Sequence, residues 1–519
     1  MAIIDFFDRG WRINPNGAAY IQDDRIFSFS EVRDLTCRIA NALIAAGLPK
    51  GTKGAIWANN DVTAWTCTLG LWRANMCWIP VGARNSAAEN GYVLDAFDCE
   101  ILFYQKHFAE VVDGLRPMLP KVRHWICIDE DLPNAVSLAT WTKDYPTTPP
   151  EFDYDLDEVV AISPTGGTTG TPKGVMNTHR SLQTFCAHFM MAFPYEADRP
   201  PVNLAAAPMT HTAGLLALPC TARGGAVVVI TSPDPALMLS MIAKHGVTEL
   251  FLPPTVIYRL LDVLGLKQRV DFSSLKYFLY GAAPMSVEKL KLAIATFGPV
   301  MAGGYGQTEA PGSISNLRPA EHFRNGELAS DEVLASVGRP NPLVRVEIME
   351  DDGRILPRGE TGEICVRGDL VMKGYYNDPE KTAETIVEGW LHTGDIGHFD
   401  VEGYLHITDR KKDMVISGGF NVYPSEVEQV LWSHPAVQDC AVIGVPDDKW
   451  GEIVKAIVEL NPGQNVSADE LMRLCKERIG SVKTPKGIEF IKALPRSPVG
   501  KVLKKELRAH YWQSAGRRI

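Results

Sequence analysis

Residues 163–175 read Ser-Pro-Thr-Gly-Gly-Thr-Thr-Gly-Thr-Pro-Lys-Gly-Val and form the most distinctive stretch of the chain. A short β-branched run at 159–162 comes directly before them and is typical of a buried strand. Glycines let a backbone approach a ligand closely and turn its N–H groups inward, while threonine hydroxyls and a lysine ammonium supply further donors. A strand that ends in such a loop is predicted to bind phosphate.

This loop differs from the nucleotide P-loop. A P-loop needs its lysine directly after a glycine and directly before a serine or threonine. Here Pro172 precedes Lys173 and Gly174 follows it, which argues against a Walker-type NTPase. A flexible Gly/Thr linker is the other interpretation. Linkers seldom carry a strand on one side and a fixed Pro-Lys-Gly on the other, so the phosphate-binding interpretation is preferred.

The composition indicates a large globular protein. A chain of 519 residues is expected to form more than one domain, and 45% hydrophobic with 22% charged residues is neither disordered nor fibrous. The formal net charge of −10 argues against nucleic acid as a partner, because nucleic-acid binding requires a basic patch. Local donors such as those at 165–173 can still bind an anion.

The ten cysteines are scattered without a Cys-x-x-Cys pair. This spacing fits neither structural zinc nor a small disulfide framework, and predicts reduced, mostly buried thiols in a cytoplasmic protein. The amino-terminal residues meet an acid too early for a signal peptide, and no apolar run of about 18 residues is present. A membrane-spanning segment is therefore not expected.

Helical and strand patterns alternate along the chain, which predicts a layered α/β core. In the first 150 residues they indicate scaffold only, with a helix beginning at Ser28. Further strands are predicted at 202–206, 226–230, 248–252 and 275–280, and a helix at 235–244. In open α/β sheets ligands bind beyond the carboxyl ends of strands. The corners at 208–214 and 280–284 are therefore predicted walls of a site.

Residues 303–309, Gly-Gly-Tyr-Gly-Gln-Thr-Glu, form a third candidate segment. Its glycines remove bulk around Tyr305, whose ring could pack against a nucleotide base. Thr308 offers a hydroxyl beside the carboxylate of Glu309. A carboxylate repels phosphate unless a divalent cation lies between them, and Mg²⁺ is typically held by one or two carboxylates together with phosphate oxygens. Glu309 is therefore the predicted metal ligand.

These segments occur in a fixed order with two more, at 391–395 and 410–421, and with Lys501. The set resembles the adenylate-forming (AMP-binding) enzymes, which include acyl-CoA synthetases, peptide-synthetase adenylation domains and firefly-type luciferases. The resemblance covers nearly the whole chain. It implies a large N-terminal domain (1–409) of layered β-sheets and helices in several subdomains, and a small mobile α+β domain (410–519). Helices are predicted there near 425–433 and 467–479.

The resemblance also implies roles for individual residues. The implied catalytic set is Lys501, Glu309, Thr308, Thr165 and His211, of which His211 matches the histidine that borders the carboxylate substrate. Nucleotide contacts are implied for Thr165, Gly166, Gly167, Thr168, Thr169, Lys173, Ala282, Ala283, Gly304, Tyr305, Thr308, Asp395, Arg410 and Lys501. Asp395 and Arg410 match ribose contacts, Lys412 matches the pivot between the domains, and Gly418 and Gly419 match the loop that lines the pantetheine tunnel. The tail residues Lys504 and Lys505 are predicted to form a solvated helix face.

The activity that the resemblance implies is an ATP-dependent carboxylic acid–CoA ligase of the acyl-CoA synthetase branch, using ATP, Mg²⁺ and coenzyme A. Loading of a carrier-protein thiol, luciferase-type oxidation and non-catalytic nucleotide binding are the alternatives. Free coenzyme A is preferred because residues 210–212 contain no acid to hold an amino-acid ammonium, and because a carrier domain is not found. The oligomeric state is left open, with a homodimer as one option.

The acid substrate is only loosely specified by the sequence. Small residues would leave a roomy apolar pocket if they lined it, namely Ala213, Gly214, Ala282, Ala283, Gly303 and Gly304. Such a pocket favours an aryl, cyclic or medium-chain aliphatic acid over acetate. The corners contain no basic residue that would suggest a second carboxylate on the substrate.

Overall fold

The computed structural model describes residues 1–165, 172–264, 270–417, 420–447, 450–497 and 502–514. Its α-helices are α1 Ile4–Ile13, α2 Phe29–Ala45, α3 Val62–Arg73, α4 Ala87–Ala96, α5 Ala109–Leu115, α6 Leu138–Thr142, α7 His179–Ala192, α8 Thr212–Thr221, α9 Pro235–His245, α10 Pro254–Leu264, α11 Val287–Phe297, α12 Asp331–Ala335, α13 Pro379–Thr385, α14 Pro424–Trp432, α15 Ala468–Lys483 and α16 Lys504–Ser514. Short 3₁₀ helices are found at Lys106–Phe108, Arg116–Met118 and Pro319–His322.

The β-strands are, in chain order, β1 Ala18–Gln22, β2 Arg25–Ser28, β3 Lys53–Trp57, β4 Cys77–Pro80, β5 Cys99–Tyr104, β6 His124–Cys127, β7 Val136–Ser137, β8 Val159–Thr165, β9 Lys173–Thr178, β10 Val202–Ala205, β11 Ala226–Val229, β12 Glu249–Leu252, β13 Tyr277–Gly281, β14 Met301–Gln307, β15 Ala310–Leu317, β16 Phe323–Arg324, β17 Glu327–Leu328, β18 Arg339–Pro340, β19 Val344–Met349, β20 Gly362–Gly368, β21 Gly374–Tyr375, β22 Ile386–Val387, β23 Trp390–Phe399, β24 Leu405–Arg410, β25 Val415–Ser417, β26 Phe420–Val422, β27 Val437–Asp447, β28 Gly451–Leu460 and β29 Gly487–Ile491.

Two large, mostly parallel sheets form the centre of the molecule. One has eight strands in the order β21-β9-β8-β4-β3-β5-β6-β7, and the other has nine in the order β18-β15-β14-β13-β12-β10-β11-β1-β2. Helix α3 connects the two sheets physically: the Trp65 indole N–H donates to the Tyr20 hydroxyl at 2.9 Å, and the Trp72 indole N–H donates to the carbonyl of Val160 at 2.9 Å. The layered α/β core predicted from the sequence is confirmed.

A third sheet of five strands packs on this core. Its order is β19-β20-β23-β22, with β24 also paired to β23. The buried side chains Ile364, Leu391 and Leu405 belong to the same hydrophobic cluster as the helices between the large sheets. Burial of this shared apolar surface is the main term that holds the third sheet in place.

The last part of the chain forms a separate small α+β unit. Strands β26-β25-β28-β27, with β29 beside β28, form its sheet, and α14 and α15 cover one face over a hydrophobic cluster of their own. The predicted helices near 425–433 and 467–479 are α14 and α15, so the small α+β domain predicted from the sequence is confirmed as an architecture. The boundary between 409 and 410 falls before the last residue of β24 and stays a prediction.

Other local predictions also match. Ser28 caps α2 by accepting the N–H of Glu31, and the helix predicted at 235–244 is α9. All ten cysteines are buried and unpaired, as the sequence predicts. None of the helices that the structure describes combines the length and apolar character needed to cross a lipid bilayer.

The prediction of a solvated helix face for Lys504 is wrong. Only 19% of its side chain is exposed, and its ammonium lies 2.7 Å from the carboxylate of Glu428, which is itself buried. Burial opposes the ammonium charge, but Glu428 and Asp409 outweigh that effect and raise the pKa of Lys504. Residues 76 positions apart in sequence make this pair, so helical spacing around 504 could not reveal it. Lys505 is exposed, in agreement with the prediction.

We expect Lys504→Met to destabilise the small domain by about 3–5 kcal/mol, because Glu428 would keep a buried charge without its partner. Burial already raises the pKa of Glu428. Removing Lys504 raises that pKa further, so protonation would relieve the strain and the loss of stability should shrink as the pH falls from 8 toward 5. Thermal unfolding of the variant across this pH range, with the exposed Lys505→Met as control, measures the effect. Equal destabilisation at every pH would contradict it.

Candidate active site

The carboxyl ends of four parallel strands lie along one edge of the nine-stranded sheet. β10, β12, β13 and β14 are adjacent and parallel, so the corners that follow β10 and β13 and the residues that end β14 are neighbours. The structure therefore places the three segments at 208–214, 280–284 and 303–309 on the same edge. This is the position at which open α/β sheets bind ligands.

The predicted phosphate-binding loop lies between the two strands of an antiparallel hairpin, β8 and β9. Thr165 at the end of β8 is paired with Lys173 at the start of β9, and β8 runs parallel to β4. Both ends of the loop thus lie at the carboxyl edge of the eight-stranded sheet. Four predicted contact residues lie outside the described residues, namely Gly166, Gly167, Thr168 and Thr169.

Glu309 lies at the junction of the two large sheets. Its Oε1 accepts a hydrogen bond of 2.9 Å from the Tyr375 hydroxyl, and its carbonyl accepts the N–H of Met372. Tyr375 belongs to β21, which pairs with β9, and the Lys173 ammonium lies 5.2 Å from the centroid of the Tyr375 ring. The structure therefore brings Lys173, Glu309 and its neighbour Thr308 together. Tyr375 gave no sequence signal, because its contact with Glu309 spans 66 residues.

Asp395 holds the third sheet against the nine-stranded sheet. Its carboxylate is buried, accepts a hydrogen bond of 2.7 Å from the Tyr305 hydroxyl and lies 3.3 Å from Nε of Arg410, its partner across β23 and β24. Burial and the neighbouring carboxylate raise the pKa of Tyr305, so the phenol stays a donor. Gln307 also donates to Asp395 and to the carbonyl of Thr393. The sequence predicted that the Tyr305 ring packs against a nucleotide base, and it assigned no role to Gln307.

Ala282 and Ala283 follow β13 directly beside Gly304. Gly281 and Gly304 are paired across β13 and β14, and a side chain on Gly281 would meet the Gly304 carbonyl oxygen at 2.6 Å. Ala282 is exposed and has φ +64°, a conformation that costs energy for a residue with a side chain. The strained turn leaves small side chains at the open strand end, which suits a flat ligand.

His211 precedes α8 in the corner after β10. Its backbone N–H donates to the carbonyl of Pro208, and its imidazole reaches solvent although protein atoms around it lower its pKa. Thr210 and Met209 beside it border a cavity of about 20 Å³ with Trp65.

The predicted roomy pocket is only partly present. Ala213 and Gly303 are buried, and a side chain on Gly214 would meet the Met209 carbonyl oxygen at 2.0 Å and the Trp65 ring at 2.7 Å. These residues are small because they are tightly packed, and not because they face a ligand. Ala282, Ala283 and Gly304 remain accessible at the strand ends.

Lys412 follows β24 in the segment that leads into the small unit, and its side chain is exposed. Protein atoms around it and the charge of Arg410 lower the pKa of its ammonium. The guanidinium of Arg508 in α16 lies 2.6 Å from Asp413 and 3.5 Å from the carbonyl of Lys412. Gly418, Gly419 and Lys501 lie outside the described residues, so the structure places neither the predicted tunnel loop nor the predicted catalytic lysine.

A larger cavity of about 280 Å³ lies elsewhere. It is lined by Lys53, Cys77 and Val159, which are the first residues of strands β3, β4 and β8. It is therefore at the amino edge of the eight-stranded sheet, opposite the residues assembled above. Its position separates it from the candidate active site.

Comparison with known proteins identifies the family. The family profile described as "AMP-binding enzyme" matches residues 7–376, and the profile described as "AMP-binding enzyme C-terminal domain" matches residues 426–501. The chain is 36% identical to the medium/long-chain-fatty-acid–CoA ligase FadD8 of Mycobacterium tuberculosis over 84% of this chain and 77% of that protein. It is 33% identical to a feruloyl-CoA synthase of an Amycolatopsis species over 96% of this chain and 97% of that protein.

A solved structure agrees over the full length. The amide bond synthetase McbA from Marinactinospora thermotolerans superposes with a TM-score of 0.89 at 30% identity, covering 98% of this chain and all of that one. The family match extends over more than half of the chain, and the motifs of the site occur in the family's order. The protein therefore belongs to the adenylate-forming AMP-binding enzymes, in their acyl-CoA synthetase branch.

Proposed function

We propose that this enzyme is a carboxylic acid–CoA ligase that forms an acyl-adenylate from ATP and passes the acyl group to coenzyme A. The observation that carries the proposal is that two groups of side chains meet at one sheet edge. The first, called the carboxylate clamp, is the buried carboxylate of Asp395 with its partners Tyr305 and Arg410. The second is the pair Thr308–Glu309, which lies beside the ends of the predicted phosphate loop. A ribose and a triphosphate need these two kinds of group at neighbouring positions.

In the first half-reaction the substrate carboxylate attacks the α-phosphorus of ATP, and the bond from that phosphorus to the bridging oxygen of pyrophosphate breaks. The carboxylate is already ionised at neutral pH, so no general base is required. The barrier comes from bringing two anions together, and catalysis consists mostly of positioning and charge neutralisation. The charge would be neutralised by hydrogen-bond donors of residues 165–169, by the hydroxyl of Thr308 and by the ammoniums of Lys173 and Lys501.

The nucleoside would be held by the clamp and the strand ends. Asp395 can accept hydrogen bonds from a ribose diol, as acidic residues do in dinucleotide folds. Tyr305 and Arg410 already bind this carboxylate and so fix its direction. Ala282, Ala283 and Gly304 leave a flat, accessible surface for adenine.

Glu309 is the residue that would hold Mg²⁺. Its Oε1 is bound by Tyr375, and oxygen ligands of this kind suit a hard cation. The hydroxyl of Thr308 is a second oxygen close by. When bound, the ion would neutralise phosphate charge beside Glu309 and remove the repulsion between this carboxylate and ATP.

In the second half-reaction a thiolate attacks the acyl carbonyl carbon and AMP leaves with the oxygen that linked it to the acyl group. The proposed switch is a rotation of the small domain about Lys412, which withdraws Lys501 and presents the loop of Gly418 and Gly419. Support comes from the contacts on either side of the pivot: Asp413 is bound by Arg508 of the small domain, whereas Arg410 is bound to Asp395 of the large domain.

The proposed thiol is free coenzyme A. An adenylation domain for amino acids would need an acid close to His211, and residues 210–212 are Thr-His-Thr. The similarity to CoA ligases supports coenzyme A, while the similarity to an amide bond synthetase makes amide formation from an amine an outcome that the assay must distinguish. The proposed acids are aryl, cyclic or medium-chain aliphatic, because residues 208–214 include no lysine or arginine to hold a second carboxylate, and the small side chains of Ala282 and Ala283 leave accessible space at the strand ends.

Release of pyrophosphate from ATP by acids of graded length and ring size tests the activity. We expect an acid-dependent release, followed by AMP and thioester formation only when coenzyme A is added. Parallel reactions with a simple amine or with a pantetheinylated carrier protein in place of coenzyme A separate the other acceptors. Nucleotide binding without pyrophosphate release for any acid would contradict the proposal.

We expect Lys501→Ala to lower the rate of adenylation by about 10²–10³, since an electrostatic contact to the transition state is lost. Thioester formation from a synthetic acyl-adenylate should be spared, because Lys501 acts only before the rotation. The exposed Lys492→Ala serves as the matched control on the same domain. Equal loss in both half-reactions would count against the assigned role of Lys501.

We expect Lys412→Pro to leave adenylation measurable and to block thioester formation, because proline fixes φ at the proposed pivot. Lys412→Ala is the control, since it removes the ammonium and keeps the backbone free. The two half-reactions are measured separately for both variants. Normal steady-state turnover of Lys412→Pro would remove residue 412 from the pivot role.

A further inference from the structure

Glu363 makes contacts that neither the sequence motifs nor the family resemblance assign. It lies at the start of β20, and its carboxylate is buried. Oε1 accepts the backbone N–H of Gly394 at 2.9 Å, while Oε2 lies 3.3 Å from Nδ1 of His392 and 3.5 Å from the ammonium of Lys411. One carboxylate therefore contacts both the residue before Asp395 and the residue before the proposed pivot.

The first set of contacts concerns the turn that presents Asp395. Gly394 has φ +71°, which turns the chain inside β23, and the ladder between β20 and β23 is irregular between Glu363 and Cys365. The hydroxyl of Thr393 donates to the carbonyl of Ile364 and accepts the N–H of Asp395. The N–H of Gly394 is then satisfied by Glu363. Because the pairing of β20 with β23 is irregular here, the N–H of Gly394 is bound by the Glu363 side chain.

The second set concerns the pivot. The ammonium of Lys411 lies 2.5 Å from the carboxylate of Asp351 as well as near Glu363. The backbone N–H of Lys411 donates to the carbonyl of Gly394 at 2.9 Å. All three partners belong to the third sheet or its hairpins. Asp413, two residues later, is bound by Arg508 of the small unit. Residue 412 thus separates a residue fixed on the large domain from one fixed on the small domain.

We propose that Glu363 is a positioning residue that couples the ribose-binding turn to the hinge: its carboxylate holds Gly394 so that Asp395 meets the nucleotide, and the same carboxylate anchors Lys411 so that rotation is confined to residue 412. This inference rests on the proposed function. It assigns Glu363 no contact with substrate.

The chemistry of the side chain separates the two tasks. An amide oxygen can still accept the N–H of Gly394, so glutamine preserves the first contact. Glutamine has no charge, so it loses the ion pair with Lys411. Alanine at this position loses both contacts and leaves the buried N–H of Gly394 without its partner. Glu363→Gln and Glu363→Ala therefore report on different halves of the proposal.

For Glu363→Ala we expect the KM for ATP in the adenylation step, and the Kd for AMP, to rise about ten- to a hundredfold, the usual range for a lost hydrogen bond to a charged group. For Glu363→Gln we expect both constants to stay within about threefold of wild type. Thioester formation from a synthetic acyl-adenylate should slow by about two- to fivefold in Glu363→Gln, in keeping with a partly exposed ion pair.

Lys411→Met should slow thioester formation at least as much as Glu363→Gln, and the double variant should be no slower than Lys411→Met alone, because both substitutions remove the same contact. Glu347→Gln is the matched control: it neutralises a carboxylate on the neighbouring strand β19 that pairs with Arg345 at the surface. Thermal unfolding of every variant corrects the rates for any loss of folded protein.

A wild-type Kd for AMP in Glu363→Ala would overturn the coupling to the nucleotide turn. A thioester rate at or above wild type in Glu363→Gln, or additive losses in the double variant, would overturn the coupling to the hinge. Either result refutes the proposal. If the wild-type enzyme forms no acyl-adenylate, the proposed function fails instead, and AMP binding by the same variants still tests the nucleotide half.

Discussion

The hydrogen bond between Tyr305 and Asp395 is the contact on which the candidate site depends. Tyr305 belongs to the nine-stranded sheet and Asp395 to the five-stranded sheet, so this 2.7 Å bond joins two layers that are 90 residues apart in sequence. The bond places a buried carboxylate at the open ends of parallel strands. A buried charge is costly unless it is paired and hydrogen-bonded, and Arg410 and Gln307 complete the set of partners.

A second junction brings in the remaining sheet. The bond from Tyr375 to Glu309 attaches the eight-stranded sheet, with the hairpin that carries the predicted phosphate loop, to the same edge. Under the proposed function each of the three sheets would contribute one part: the hairpin would bind phosphate, the strand ends would bind the base and the acyl group, and the third sheet would bind the sugar. No single element could provide this arrangement, which explains why the candidate residues on these three sheets are spread from 165 to 410.

The sequence predicted what local spacing encodes. A β-branched run before a glycine-rich loop correctly indicated β8, and the rule for parallel strands correctly placed the corners after β10 and β13 on one edge. Burial by a distant element has no local signal. Lys504 meets Glu428 across 76 residues, Glu309 meets Tyr375 across 66, and Gly214 is small because Trp65 packs against it. The roles of the site residues stay predictions, since geometry alone does not report chemistry.

The burial of all ten cysteines has a consequence for handling a reactive intermediate. An acyl-adenylate acylates thiolates readily, and burial raises the pKa of thiols such as Cys67, Cys186 and Cys440, which keeps them protonated. If the proposed function holds, the acyl-adenylate would therefore not acylate the enzyme's own cysteines. For the same reason, a chromogenic thiol reagent added to the folded enzyme in an assay with coenzyme A would react with the coenzyme thiol and not with the buried cysteines.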